Sequence, residues 1–221
     1  RFFDKGQISE SRKTLAPIFK ITILDKKLRS KAEILLLDIL ERQMWLFRPN
    51  TPEFLHAQRN YLQQLRKISH YQWPIERLET FAKNAFAFGD TALAKELYYQ
   101  LIYSAPAINL QWFDRIAQLY LAEGHYRAAA RILFQAMPHT TSLQQRRSYI
   151  LAGVKALQSG NLWPDAMSAA QTYAGVLLQD PSILEFLARL ALSANRPDLA
   201  QQYVSLLLQQ RISTPATGVS P

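Results

Sequence analysis

Histidines and carboxylates are the only groups in this 221-residue chain that offer obvious chemistry, and their spacing argues against it. His56, His70, His125 and His139 lie far apart, mostly where helix ends or turns are expected. None forms a His-x-x-x-His pair or a Glu-containing zinc motif. They read as solvated or capping side chains. Glu76 and Glu79 stand one helical turn apart on a face expected to be exposed, where two solvated acids are far commoner than a catalytic dyad. There are no cysteines, which excludes disulfides, thiolate zinc sites and thiol nucleophiles. The turn glycines are isolated, so nothing resembles a phosphate-cradling loop. The expectation is a non-enzymatic chain with no catalytic, metal-binding or cofactor-binding residues and no cofactor.

Charge points toward partners instead. The chain carries a formal +9, with 14 Lys/Arg against 7 Asp/Glu in residues 1–71 and 12 against 10 in residues 72–221. Much of the excess falls in Lys26-Lys27-Leu28-Arg29-Ser30-Lys31. Such a run can attract nucleic acid, anionic lipid or an acidic protein, although a solvated loop between helices is the plainer reading. Hydrophobic residues make up 48%, ample for a continuous core. No apolar run approaches the roughly 20 residues that span a bilayer, and the block 34–40 is broken by Asp38. The chain opens at Arg1 without a methionine and so reads as an excerpt.

The elements that would position any site follow a repeat. Gly89, Gly124, Gly160 and Asn195 are expected at turns, and Ala94, Ala129, Ala166 and Ala200 at the starts of the helices that follow. A period near 34 residues with small residues in both helices marks a helix-turn-helix array. Gly and Asn suit the left-handed conformation that closes a helix. Four repeats are expected over residues 74–211, the third swollen at Trp163-Pro164 and ending in a long return helix through Gln179. Before them come a partial repeat and basic linker (1–29) and a divergent hairpin (30–73), which could instead be an inserted helical pair. Within that hairpin Ser30-Lys31-Ala32-Glu33 reads as a capping box. The apolar helix it opens runs to about Phe47, and its partner spans residues 53–71. Residues 212–221 read as a disordered tail.

These positions resemble the tetratricopeptide repeat (TPR). In that motif Ala82, Ala117, Gly153 and Ala188 are the small residues of the first helices. Ala94, Ala129, Ala166 and Ala200 answer them from the second, followed by bulky Tyr98, Leu133 and Val204. Tyr120 matches the favoured tyrosine, whereas Leu78, Phe113 and Leu184 replace the tryptophan. The resemblance implies an all-α, right-handed α-solenoid of TPR-like repeats. A narrower likeness rests on residues 114–134, 149–165 and 184–203, which are similar to the repeat region of the PelB family of Pel exopolysaccharide export proteins. It implies a periplasmic scaffold, part of an outer-membrane protein of a Gram-negative bacterium. Such a scaffold docks the polymer-modifying hydrolase/deacetylase beside the pore and touches the exopolysaccharide at most transiently.

Projected from the repeat register, the exposed side of the first helices carries Glu79, Lys83, Asp114, Gln118, Arg147, Glu185 and Arg189. Their mixed signs suit a protein partner held by paired charges around apolar anchors. A nucleic-acid track should be uniformly basic with exposed aromatics, which makes nucleic acid a poor fit. The other readings are a generic adaptor for another protein, RNA binding through the basic N-terminal third, and an enzyme whose catalytic domain lies outside this stretch. Trp112, Phe113, Tyr98, Tyr99 and Phe134 recur at repeat spacing and are expected in the core.

Overall fold

The computed structural model describes residues 10–11, 13–14, 26–68 and 73–213. Expectations resting on residues 1–9, 15–25, 69–72 and 214–221, including most of the partial repeat, His70 and the tail beyond Ser213, lie outside them. Among the described residues the main helices are α1 (Lys26–Met44), α2 (Pro52–Lys67), α3 (Ile75–Ala87), α4 (Thr91–Ser104), α5 (Leu110–Ala122) and α6 (Tyr126–Ala136). They continue with α7 (Leu143–Ser159), α8 (Trp163–Thr172), the single turn α9 (Ala174–Leu177), α10 (Pro181–Ser193) and α11 (Pro197–Ser213). The fold is all-α and built of TPR-like helical hairpins. Two compact units form, Arg1–Ala107 and Ile108–Pro221.

One turn closes the first helix of all four regular hairpins. Gly89, Gly124, Asn161 and Asn195 have φ of +76°, +75°, +57° and +56°. The amide after each reaches back five residues: Asp90 to Ala85, His125 to Tyr120, Leu162 to Leu157 and Arg196 to Ala191, at 2.8–3.0 Å. This is the Schellman closure, which needs a residue that tolerates the left-handed region. In the third repeat that residue is Asn161 and not Gly160, whose φ is −87°. Each left-handed residue stands five before a buried alanine, Ala94, Ala129, Ala166 or Ala200.

The same one-residue correction runs back along α7. Counting seven residues back from each left-handed turn gives Ala82, Ala117, Val154 and Ala188, all buried. Val154, not Gly153, therefore holds the small-residue position of the third hairpin. Gly153 and Gly160 serve another purpose. A Cβ on Gly153 would lie 2.7 Å from Cζ of Phe134, and one on Gly160 would lie 2.5 Å from the Tyr126 ring. Two aromatics of α6 thus lie in two gaps of the antiparallel α7.

In the first unit polar contacts add to the apolar packing. Arg66 at the end of α2 donates two hydrogen bonds to Asp90 at 2.7 and 2.8 Å, and the Asp90 side chain also caps α4 through Leu93 N. Arg77 on α3 pairs with Asp38 on α1 at 3.1 Å. Asn84 donates to Glu41 on α1 and to the buried Tyr61 hydroxyl on α2, at 3.2 and 3.0 Å. Hairpin α1/α2 lacks the repeat signature, yet these contacts stitch it to α3 and the turn after it.

Several local expectations are corrected. Ser30 lies inside α1, because the helix already begins at Lys26, and Glu33 pairs with Arg29 across one turn instead of capping. Residues 26–31 are therefore helix and not loop. α1 stops at Met44 and α2 at Lys67, and Leu35 and Leu55 are exposed on their outer faces. The return helix of the third repeat breaks at Tyr173, beside Gly175, where Arg147 from α7 takes the carbonyl of Val176 at 3.2 Å. α11 extends through Ser213, into the stretch read as tail. Val204 is 45% exposed, unlike Tyr98 and Leu133 at the same register position. Tyr98, Trp112 and Phe113 are buried as expected, whereas Tyr99 and Phe134 are only partly covered.

Candidate docking surfaces

Six of the seven residues projected onto the first-helix surface fall at two register positions that recur from hairpin to hairpin. Relative to the left-handed turns, Glu79, Asp114 and Glu185 share one register position and Lys83, Gln118 and Arg189 the next turn. The i, i+4, i+7 spacing places all three positions of each set on one helix face. Phe86, Leu121 and Leu192 complete the row at the third position; Leu121 and Leu192 are exposed, Leu192 at 63%. Glu79 and Lys83 pair at 3.0 Å, and Glu185 and Arg189 form the same (i, i+4) pair on α10. In the third hairpin the row reads Leu151, Lys155, Gln158, and Lys155 lies 5.7 Å over the Phe186 ring of α10.

Arg147 does not belong to this row. It lies one turn before Leu151 and is only 20% exposed at its side chain. It donates to the carbonyl of Val176 at 3.2 Å and pairs with Asp180 at 3.3 Å. Asp180 caps α10 through Ser182, whose hydroxyl bond holds the Asp180 carboxyl below its ordinary value, with Arg147 adding to the effect. Arg147 stands fourteen residues before the left-handed Asn161, outside the register positions of the other six. It is a staple between α7 and the α9–α10 turn. Asp114 keeps its register position but is half-buried. Burial pushes its carboxyl above the ordinary value, opposed by the Tyr149 hydroxyl and Arg115. Tyr149 also faces the Leu110 carbonyl at 3.4 Å and so ties α7 to α5. Gln118 accepts from Arg115 at 3.1 Å and stays exposed.

A second surface lies on the other helices of the second unit. Arg127, Ala130, Arg131, Phe134 and Gln135 of α6, with Leu157 of α7 and Tyr173 after α8, line a groove of about 410 Å³. Phe134 and Tyr173 meet at 5.3 Å with their rings tilted by 43°. Arg127 pairs with Asp165 at 2.7 Å. A smaller-mouthed cavity of about 430 Å³ lies in the first unit among Leu40, Phe47, Glu53, His56 and Asn60. Register projection missed the α6 groove because it selects first helices only. A signal was present, since the sequence has no Asp or Glu between Glu123 and Asp165.

Among the described residues the histidines make no constellation. His125 lies 3.3 Å from Glu123, and His139 stacks on Phe113 at 5.7 Å. Among the described residues no group of three or more His, Asp or Glu is placed to hold a metal ion. None of the described helices is long and apolar enough to cross a membrane.

Comparison with protein-family models and with curated proteins gives no match. Solved structures of similar trace include MamA AMB-1, at 11% identity and TM-score 0.43, covering 86% of this chain and 96% of that one. Another is a putative kinesin light chain of Podosopora anserina with nearly identical TPR-like repeats, at 15% identity and TM-score 0.43, covering 96% and 97%. Likeness at this level speaks at most to architecture, which the chain's own hairpins establish.

Proposed function

We propose that this chain is a non-enzymatic scaffold that holds another protein along the first helices of its hairpins. The observation that carries this reading is the recurring row of an acid, a cation or amide, and a large apolar residue at i, i+4, i+7. It appears as Glu79/Lys83/Phe86, Asp114/Gln118/Leu121 and Glu185/Arg189/Leu192. Core packing does not require Leu121 and Leu192 to stay exposed, and a charged rim beside an apolar anchor is the usual anatomy of a protein interface.

The finer proposal is the setting. Residues 114–134, 149–165 and 184–203 resemble PelB-type repeats, and on that resemblance the partner is a periplasmic polysaccharide hydrolase/deacetylase held beside an outer-membrane export pore. A partly deacetylated amino-sugar polymer is cationic and gains little from a chain of net charge +9, which favours the enzyme over the polymer as the held species. The test is binding of the purified deacetylase to wild type and to a Lys83→Glu/Arg189→Glu double variant. Weaker capture at unchanged helicity supports the docking row. Equal affinity removes it, and hydrolase or transferase activity in the isolated chain overturns the scaffold reading.

A further inference from the structure

We infer that the groove between α6, α7 and α8 is a docking site for an acidic peptide segment that carries one large apolar side chain. This deepens the scaffold reading and rests on it, but names a different surface and the chemistry of what it takes.

Two independent features point the same way. The first is charge. From residue 124 to residue 164 the chain contains no carboxylate and five cations: Arg127, Arg131, Arg146, Arg147 and Lys155. Arg147 is spent on the α9–α10 turn. Arg127 is paired with Asp165, although its exposed guanidinium keeps donors beyond the Nε bond. Arg131 lies one turn further along the same face of α6 and is exposed beside the groove. Two guanidiniums four residues apart on one helix face suit successive carboxylates of an extended segment, since each presents a planar fork that matches a carboxylate.

The second feature is the floor. Ala130, Phe134, Leu157 and Tyr173 make an apolar cleft directly beneath those cations. Its shape depends on two sequence choices: Gly153 lets the Phe134 ring lie against α7, and the break after α8 turns Tyr173 to meet it. A cleft of about 410 Å³ has the size of a small pocket and takes a side chain, not a helix. An apolar anchor seated beneath a charged rim is the arrangement that gives interface hot spots. Nucleic acid fits less well, because the two rings are tilted at 43° inside a cleft and offer no flat platform for successive bases.

The test uses the 221-residue chain and a fluorescein-labelled peptide, Glu-Asp-Glu-Phe-Glu-Asp-Glu, read by anisotropy. Saturable binding that weakens with salt and is lost when the peptide's Phe is replaced by Ala is expected. Arg131→Glu should weaken it about tenfold. Arg59→Glu, at an exposed position of α2 in the other unit, changes net charge equally and should leave it unchanged. Tyr173→Ala is the second variant, and should also weaken binding with helicity preserved. Equal loss in Arg131→Glu and Arg59→Glu, no saturation at millimolar peptide, or equal competition by a ten-nucleotide oligouridylate would each overturn the groove. Deacetylase capture with no saturable peptide binding leaves the scaffold reading intact and sinks the groove alone. Peptide binding without deacetylase capture does the reverse.

Discussion

Side chains that the repeat pattern treats alike have different jobs here, and the difference is measurable. Gly153 should resist even a methyl group. Gly→Ala in a helix interior ordinarily gains about 1 kcal/mol, but here the Cβ would strike the Phe134 ring. Overpacking costs about 1–3 kcal/mol. Gly153→Ala should therefore lower stability in urea melts, and a Phe134→Leu background should recover part of the loss. A gain in the wild-type background would show that the ring moves freely. Asp114 and Asp180 should respond to pH in opposite senses. The Asp180 carboxyl is depressed in the fold, so its contribution is present above the ordinary carboxylate range, near about 4, and fades as pH falls through the folded value. That of Asp114 is raised, so the fold favours its protonated form, and the contribution fades as pH rises through the folded value. Asp114→Asn keeps an acceptor for Tyr149 and should raise the melting temperature at pH 7 more than at pH 3. A fall at pH 7 would show that the carboxylate itself is needed.

Hairpins were the most legible level of the sequence, for a physical reason. Ala94, Ala129, Ala166 and Ala200 are small because two helix backbones approach closely there, and that constraint prints itself at every period. Ala129→Arg should accordingly abolish cooperative melting, since a buried guanidinium has neither room nor counter-charge; an unchanged melt would refute the register. The third hairpin was misread by one residue because it offers three glycines or asparagines where one is needed. Only the aromatics of α6 reveal that Gly153 and Gly160 are gaps and Asn161 is the turn. Hence Asn161→Gly should be neutral or mildly stabilising, whereas Gly160→Ala should cost about 1–3 kcal/mol in the same assay. Equal effects would return the turn to Gly160. Ser30 and Glu33 failed as a capping box because the spacing also occurs inside helices, where Glu33 simply meets Arg29 one turn back.

At the scale of the molecule, each unit combines apolar packing with polar ties between its helices. In the first, Arg66–Asp90, Arg77–Asp38 and the Glu41–Asn84–Tyr61 network join hairpins through polar groups. In the second, Phe134 and Tyr126 of α6 lie against Gly153 and Gly160 of α7, and Arg147–Asp180 and Tyr149 add polar ties. The recurring register positions of six of the seven projected residues were legible, because placement on a regular helix follows from period. Arg147 was not, since its side chain answers to the irregular turn at Val176–Asp180, which no period encodes. The α6 groove was outside the projection altogether, although the missing carboxylates marked its neighbourhood. Hydroxyl-radical footprinting of the chain with and without the purified deacetylase tests the central claim most directly. The scaffold account predicts that Phe86, Leu121 and Leu192 lose labelling in the complex while buried core residues do not change. A complex that forms with those three side chains still fully labelled would contradict it.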